Sequence, residues 1–254
     1  VQHEKTQQPS YTAQNLRVPQ GKREATTVAN HLLNGIPSRE RNRVLNHCES
    51  VDLVFGSILC DTDQPYSHAY FPLTGFISLV THLDAHRPLE MGLIGSEGML
   101  GVTLILGVRK APIRAVVQGA GNALRITSAH LLRELHECPE LQRSLNRYLY
   151  VLMAQLSQAA ACIHFHEIQP RLARWLLMTH DRAQADHFHL THEFLADMLG
   201  VRRSGITVAA GELQQKHLIR YTRGEITILD RAGLEAVACE CYGAVTDCYS
   251  KLLG

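Results

Sequence analysis

The side chains with the most legible chemistry fall in the C-terminal third of the chain. Arg202, Arg203, Ser204 and Thr207 lie on one side of an expected helix. Its other side, Ile206, Ala209, Ala210 and Leu213, is apolar and small. None of the four polar residues is needed to fill a core. Arginine can fork onto guanine edges or onto phosphates, and Ser and Thr hydroxyls bond to either. A second basic point follows at Arg223, in an Arg-Gly turn between two short strand-like runs, where a guanidinium can meet a backbone phosphate. This pattern fits a nucleic-acid reader.

Fifteen His and seven Cys invite a competing metal or redox reading. The densest His group is His187-x-His189-x-x-His192, with His180, Asp181 and Asp186 nearby, and three imidazoles at this spacing are conceivable ligands for Zn²⁺ or Ni²⁺. The stretch falls in a polar linker and a helix start, where surface His is ordinary, so no metal is expected there. Cys162-Ile-His164-Phe-His166 is a second place where metal, haem or thiol chemistry could act. The expectation is packing for Cys162 and a local hydrogen bond for His166. Cys239 and Cys241 are two apart, which suits neither a zinc knuckle nor a thioredoxin-like pair, and the odd count argues against a fully paired disulfide framework. Reduced thiols buried as small hydrophobes are expected. There is no HExxH and no GxSxG, so hydrolase chemistry has no constellation to rest on.

These residues need elements to hold them. Residues 1–25 are polar and aperiodic and read as a flexible tail. Residues 26–139 begin with short helical stretches and continue as strand-like runs separated by turn signals: 51–58, 69–71, 76–80, 89–93, 113–117 and 123–126. This spacing predicts an antiparallel sandwich or roll. Residues 140–167 carry apolar side chains at spacings of three and four with no internal Pro or Gly, a helix about 40 Å long. A stripe of that length exceeds what a small sheet covers. Leu145, Leu149, Leu152, Leu156, Ala159 and Ile163 are therefore expected to pack against a second copy of the chain, the other arrangement being a spine buried within one subunit. Residues 168–254 continue as helix to Met178, a polar linker at 179–186, then helix, turn, helix and hairpin. Thr191 is a natural cap and Gly200 a natural stop for the first helix of the pair. The expected class is α+β: an N-terminal antiparallel β-roll (double-stranded β-helix), a long dimerisation helix and a C-terminal winged helix-turn-helix. Lys and Arg number 25 against 24 Asp and Glu, a net +1, and residues 171–231 hold nine against seven. Such a protein relies on a few placed arginines, not on a polycationic face.

Arg171-Leu-Ala-Arg-Trp-Leu-Leu, Leu195-Ala-Asp-Met-Leu-Gly-Val-Arg-Arg and Leu218-Ile-Arg-Tyr-Thr-Arg-Gly-Glu-Ile-Thr-Ile-Leu-Asp resemble the Crp/Fnr family of bacterial transcription regulators. Tyr70-Phe-Pro-Leu-Thr-Gly-Phe-Ile-Ser-Leu looks like that family's early roll segment. The resemblance implies a homodimeric, sequence-specific DNA-binding regulator. Its partners would be double-stranded DNA with a two-fold site, a second copy of the chain, RNA polymerase and an unknown small effector. No apolar run is long enough to span a bilayer and the N-terminal residues lack a basic region followed by an apolar core, so no membrane and a cytoplasmic location are expected, and no cofactor. The family's cyclic-nucleotide cassette is degenerate here. Gly95-Ser-Glu97-Gly echoes its first part, but Ala111 and Pro112 stand where an Arg and a small hydroxyl residue would hold phosphate, leaving only Arg109 and Lys110 close by. Control by cAMP is not expected. A second departure is Ser204 and Val208 where the commonest recognition helix has Glu and Arg, so the operator should differ. The family's iron–sulfur sensor needs cysteines near the N-terminus, and the first here is Cys48. A metal- or redox-responsive regulator of the same fold is the alternative; a metal-dependent hydrolase or a protein-only interaction module are the remote ones.

Overall fold

A computed structural model describes residues 30–81 and 87–253; the expected tail at 1–25 lies outside the described residues. Two short helices open the structure, α1 (His31–Asn34) and α2 (Ser38–Leu45). Asn30 fixes their start: its Oδ1 accepts from the Leu32 and Leu33 amides, and its Nδ2 donates to the carbonyls of Pro72 and Gly98. A buried amide with every bond made anchors a segment without leaving an unsatisfied group.

Seven strands follow: β1 (Cys48–Leu53), β2 (Ile58–Cys60), β3 (His68–Pro72), β4 (Phe76–Thr81), β5 (Leu89–Ile94), β6 (Arg114–Gly119) and β7 (Gly121–Thr127). They form two antiparallel sheets, β1-β7-β3 and β2-β6-β4-β5, whose inner residues Phe71, Ile77, Leu79, Ile94, Ala115, Val117 and Ile126 share one core. This is the roll expected from the spacing. Residues 51–58, expected as one strand, divide between β1 and β2, because the chain turns at Gly56 with φ +80°. A 3-10 turn at Val102–Leu106, flanked by Gly101 and Gly107 at positive φ, was not anticipated.

Helix α3 (Ser128–Glu137) leads to the long helix α4 (Pro139–Phe165), with Pro139 at its first turn, where the missing N–H costs nothing. The stripe on α4 is split. Leu145, Leu152 and Ala159 are almost fully buried within the same chain, as are Leu141, Tyr148, Val151, Gln155 and Cys162. Leu149, Leu156 and Ile163 are half-buried, while Tyr150 and Met153 are exposed. Half of the expected partner-facing stripe is thus covered from inside, by the roll and by the last helix. The 3.6-residue period makes both seams look alike from sequence.

Helix α5 (Ile168–Ala183) runs five residues past its expected end at Met178, since Thr179 is fully buried and His180 and Arg182 face partners. The remaining elements are β8 (His187–His189), α6 (His192–Leu199), α7 (Arg203–Gln215), β9 (Ile219–Thr222), β10 (Glu225–Ile228), α8 (Arg231–Val237) and α9 (Cys241–Leu253). A second core joins α5 to α8 and the small sheet β8-β10-β9, and it also takes in Phe76 and Leu93 from the roll. The two halves therefore share a packed boundary, and α9 lies along α4. No helix among the described residues is long and apolar enough to cross a membrane.

Candidate functional site

Helices α6 and α7 are built as their residues require. Thr191 Oγ1 accepts from the Phe194 amide (3.1 Å), and Glu193 sits in the first turn, where negative charge is favoured. Gly200 ends α6 in the left-handed region, φ +63°, ψ +40°. Leu195, Ala196 and Leu199 face Ile206, Ala209, Ala210 and Leu213 across a buried seam. The opposite side of α7 carries Arg202, Arg203, Ser204 and Thr207, all exposed, with Val208 beside them at 61% exposure. An exposed apolar branch among hydroxyls and guanidiniums suits a thymine methyl. Thr207 is also held: its hydroxyl donates to the Arg203 carbonyl (3.1 Å) and lies 3.0 Å from His192 Nδ1.

Strands β9 and β10 form a hairpin whose two turn residues, Arg223 (φ +53°) and Gly224 (φ +85°), are both left-handed, as a tight two-residue hairpin demands. The exposed Arg223 side chain stands at its tip. All five residues expected to meet DNA are thus on the surface of one winged unit.

The histidines expected as weak metal candidates do not converge. His187 and His189 both face Glu225 (2.7 and 2.6 Å), whereas His192 stacks on Tyr221 with ring centroids 4.5 Å apart.

The cassette residues are occupied by the chain itself. Glu97 Oε1 takes the Nε and Nη2 of Arg182 from α5 (2.8 and 2.7 Å) and also accepts from the Gly95 amide. A Cβ on Gly95 would stand 2.7 Å from the Arg182 stem, so Gly95 makes room for an arginine of this chain. Burial works against the Arg182 charge, and Glu97 together with Tyr249 and Asp181 more than offsets it. Arg109 and Lys110 are exposed; Arg109 lines a different cavity of about 600 Å³ with Pro65, Tyr66, Arg133 and His136. Gly95 and Glu97 thus face Arg182 of this chain. Nearby, Glu90 accepts from Trp175 Nε1 (2.8 Å) and from the Ser78 hydroxyl (2.7 Å). Burial pushes its carboxyl up to about 7 despite those two donors.

Cys162, Cys239 and Cys241 are free and buried, and His166 makes a hydrogen bond to Glu240, as expected; what the sequence did not show is that the four gather at one place. Cys162 near the end of α4, His166 at its C-cap, Cys239 between α8 and α9, and Cys241 at the start of α9 bring four ligand atoms within 4.8 Å of one another. Cys162 Sγ lies 3.6 Å from Cys239 Sγ, and Cys241 Sγ lies 3.5 Å from His166 Nδ1. The three cysteines are buried and form a cluster of their own, outside both aliphatic cores. The hydrogen bond from Cys239 holds the Cys162 thiol below its ordinary value, against burial, and Arg174 adds to the effect. The one sequence signal for this group was Cys162 and His166 at helical i, i+4 spacing. Their partners lie more than seventy positions further on.

Residues 170–237 match the family model of the Crp-like helix-turn-helix domain. No curated protein sequence matches the chain. Among solved structures, a Crp/Fnr-family transcriptional regulator from Eubacterium rectale aligns at 17% identity and a TM-score of 0.62, over 81% of this chain and 96% of its own. FixK2 from Bradyrhizobium japonicum aligns at 14% and 0.64, over 76% and 98%. The c-di-GMP-responsive regulator CLP of Xanthomonas campestris aligns at 15% and 0.63, over 76% and 99%. The chain has the Crp/Fnr regulator fold, a β-sheet domain followed by a helix-turn-helix region.

Proposed function

We propose that this chain is a sequence-specific DNA-binding transcription regulator and no enzyme, working as a homodimer and governed by metal or thiol chemistry, not by cAMP. The observation that carries the DNA reading is the front of α7, where Arg202, Arg203, Ser204, Thr207 and Val208 are exposed over a small apolar back. Arg223 on the hairpin adds a backbone contact. Selection from random duplex DNA, followed by salt titration of the winning site, tests it. The expected result is a two-fold site with half-sites about one helical turn apart. Arg203→Ala should weaken that site far more than random DNA, and equal losses on both would refute base reading by Arg203.

The homodimer would use the open seam of α4. Leu149, Met153, Leu156, Ala160 and Ile163 fall at alternating spacings of four and three, half-buried or exposed. Leu145, Leu152 and Ala159 flank that seam on the side already packed. Met153→Glu should yield a monomer by analytical ultracentrifugation; a dimer of unchanged strength would move the interface elsewhere. RNA polymerase contact and a small effector belong to this reading as partners to be tested.

The switch reading is favoured by the gathering of Cys162, His166, Cys239 and Cys241 at the bend between α4 and α5. The nucleotide reading lacks its ligands, since Glu97 is paired with Arg182. Titration of cAMP should leave DNA affinity unchanged, while chelator or oxidant should change it.

A further inference from the structure

The four side chains at the bend are more specific than a general thiol sensor. We infer that Cys162, His166, Cys239 and Cys241 form a closed Cys₃His site for one zinc ion, which clamps the end of α4 to the α8–α9 connection. The inference deepens, and rests on, the reading of this cluster as the metal or thiol centre; it is independent of the DNA reading.

Size comes first. Tetrahedral zinc with Zn–S of about 2.3 Å and Zn–N of about 2.05 Å has S···S edges of about 3.8 Å and S···N edges of about 3.6 Å. Two of the edges measure 3.6 Å for Cys162–Cys239 and 3.5 Å for Cys241–His166. No pair of ligand atoms is more than 4.8 Å apart, so a side-chain adjustment of at most about 1 Å closes the tetrahedron. A two-iron cluster would hold its four ligands further apart than this. Soft thiolates with one imidazole select zinc over magnesium, calcium or manganese. With four protein ligands no position stays open for water, so the site is structural.

The surroundings match. His166 Nε2 faces Glu240 Oε1 at 3.1 Å, so a proton on Nε2 leaves the Nδ1 lone pair pointing at the sulfurs. A carboxylate holding the far nitrogen of a ligand imidazole is the usual outer partner at metal sites. Gln158 Nε2 donates to Cys241 Sγ at 3.0 Å. Zinc with three thiolates carries one net negative charge. Arg171 and Arg174 stand on α5 within electrostatic reach of Cys162 and Cys239, and Arg174 Nε is buried without a hydrogen-bond partner. On binding, the three sulfurs bind as thiolates and His166 as the neutral imidazole, any proton these groups still hold passes to solvent, and no electron changes hands.

Position supplies the role. The peptide from His166 to Glu167 joins α4 to α5, so it sets how the winged unit sits on the long helix. A metal linking Cys162 and His166 to Cys239 and Cys241 spans that bend. Occupancy would fix the winged unit, and with it the spacing of two recognition helices in a dimer.

The test uses the untagged full chain, purified under reducing conditions and assayed for metal content and DNA affinity on the same samples. The expected content is about one zinc per chain. Cobalt(II) should replace zinc and give the intense visible bands of tetrahedral thiolate coordination. Cys239→Ser and Cys241→Ser should lose both signals, while Cys48→Ser and Cys60→Ser keep them. Wild-type protein with negligible zinc and no cobalt bands overturns the inference even if a variant fails to fold. Protein isolated without zinc, and unable to take up zinc or cobalt, that forms a reversible Cys162–Cys239 disulfide on oxidation would overturn it too, leaving the redox reading standing. Neither metal nor disulfide would remove both. Zinc-loaded protein that selects no DNA would refute the DNA reading and leave the site intact.

Discussion

The boundary between the roll and the winged unit hangs on Arg182, and its removal gives the sharpest energetic test. Arg182 Nε and Nη2 grip Glu97 Oε1 at 2.8 and 2.7 Å, and Nη1 donates to the Met178 carbonyl at 3.0 Å. The Arg182 side chain is 7% exposed and that of Glu97 is 19% exposed. Arg182→Met keeps much of the stem but leaves the carboxylate with the Gly95 amide alone. Breaking one partner of a buried pair costs about 3–5 kcal/mol, because the surviving charge stays poorly solvated. For a chain of this size each kcal/mol moves Tm by about 2–4 °C. The first thermal transition of Arg182→Met should therefore fall by roughly 6–20 °C. Glu97→Gln added to Arg182→Met removes the stranded charge and should recover most of that loss, since a neutral replacement of both partners is nearly harmless. Calorimetry on the three proteins decides it. A loss under about 1 kcal/mol in the single variant, or no recovery in the double, would mean that the pair is effectively at the surface.

Glu90 should make this boundary pH-dependent. Its folded pKa of about 7 lies above the ordinary carboxylate value, so its stabilising protonated form is complete below about pH 4.5 and lost as pH rises through 7. Glu90→Gln should match wild type near pH 4.5 and exceed it by up to about 3 kcal/mol at pH 8. Trp175, the one tryptophan, bonds Glu90, so its emission should titrate near pH 7 in wild type alone; a pH-independent gap would sink the assignment. Gly200→Ala should cost about 1–2 kcal/mol in denaturant melts, from its left-handed φ, with a Cβ 2.7 Å from Leu89 Cδ1 adding to it. Equal stability would mean that α6 ends differently. Arg223→Ala should weaken specific and random DNA alike and lower the salt slope by about one. A sequence-dependent loss would instead assign that side chain to base edges.

Local rules made the winged unit legible. Thr191, Gly200 and the Arg223-Gly224 turn each act within a few residues, and the structure places all three as their chemistry requires. The roll was legible in outline, because sheet spacing survives errors of a strand boundary. What escaped was long-range. Arg182 was expected in a linker, and only the folded chain shows it eighty-five positions away from its partner Glu97. The Cys₃His group likewise draws on positions seventy-seven apart, and a Cys-x-Cys pair alone gives no ligand set. The Gly95-Ser-Glu97 motif was readable as a relic but not as a socket for an arginine.

Helix α4 explains why one misassigned stripe matters. Its packed flank, Leu145, Leu152 and Ala159, belongs to the chain's own core, while the adjoining seam through Leu149, Met153, Leu156, Ala160 and Ile163, proposed above for the dimer, is half-buried or exposed. Its last turn carries Cys162 and leads to His166 at the bend. A rotation of α4 that buried the open seam more deeply would drag the packed flank out of register with the roll. It would also separate Cys162 from Cys239. In the proposed dimer, partner, roll and winged unit would compete for one rigid element, and the proposed clamp at its end would bias all three. On this reasoning, a substitution on the open seam that strengthens pairing should alter metal retention as well as dimer affinity. Ala160→Leu, measured for zinc release to a chelator beside its dimer constant, tests that coupling: a tighter dimer with an unchanged release rate would show that the seam and the clamp act independently.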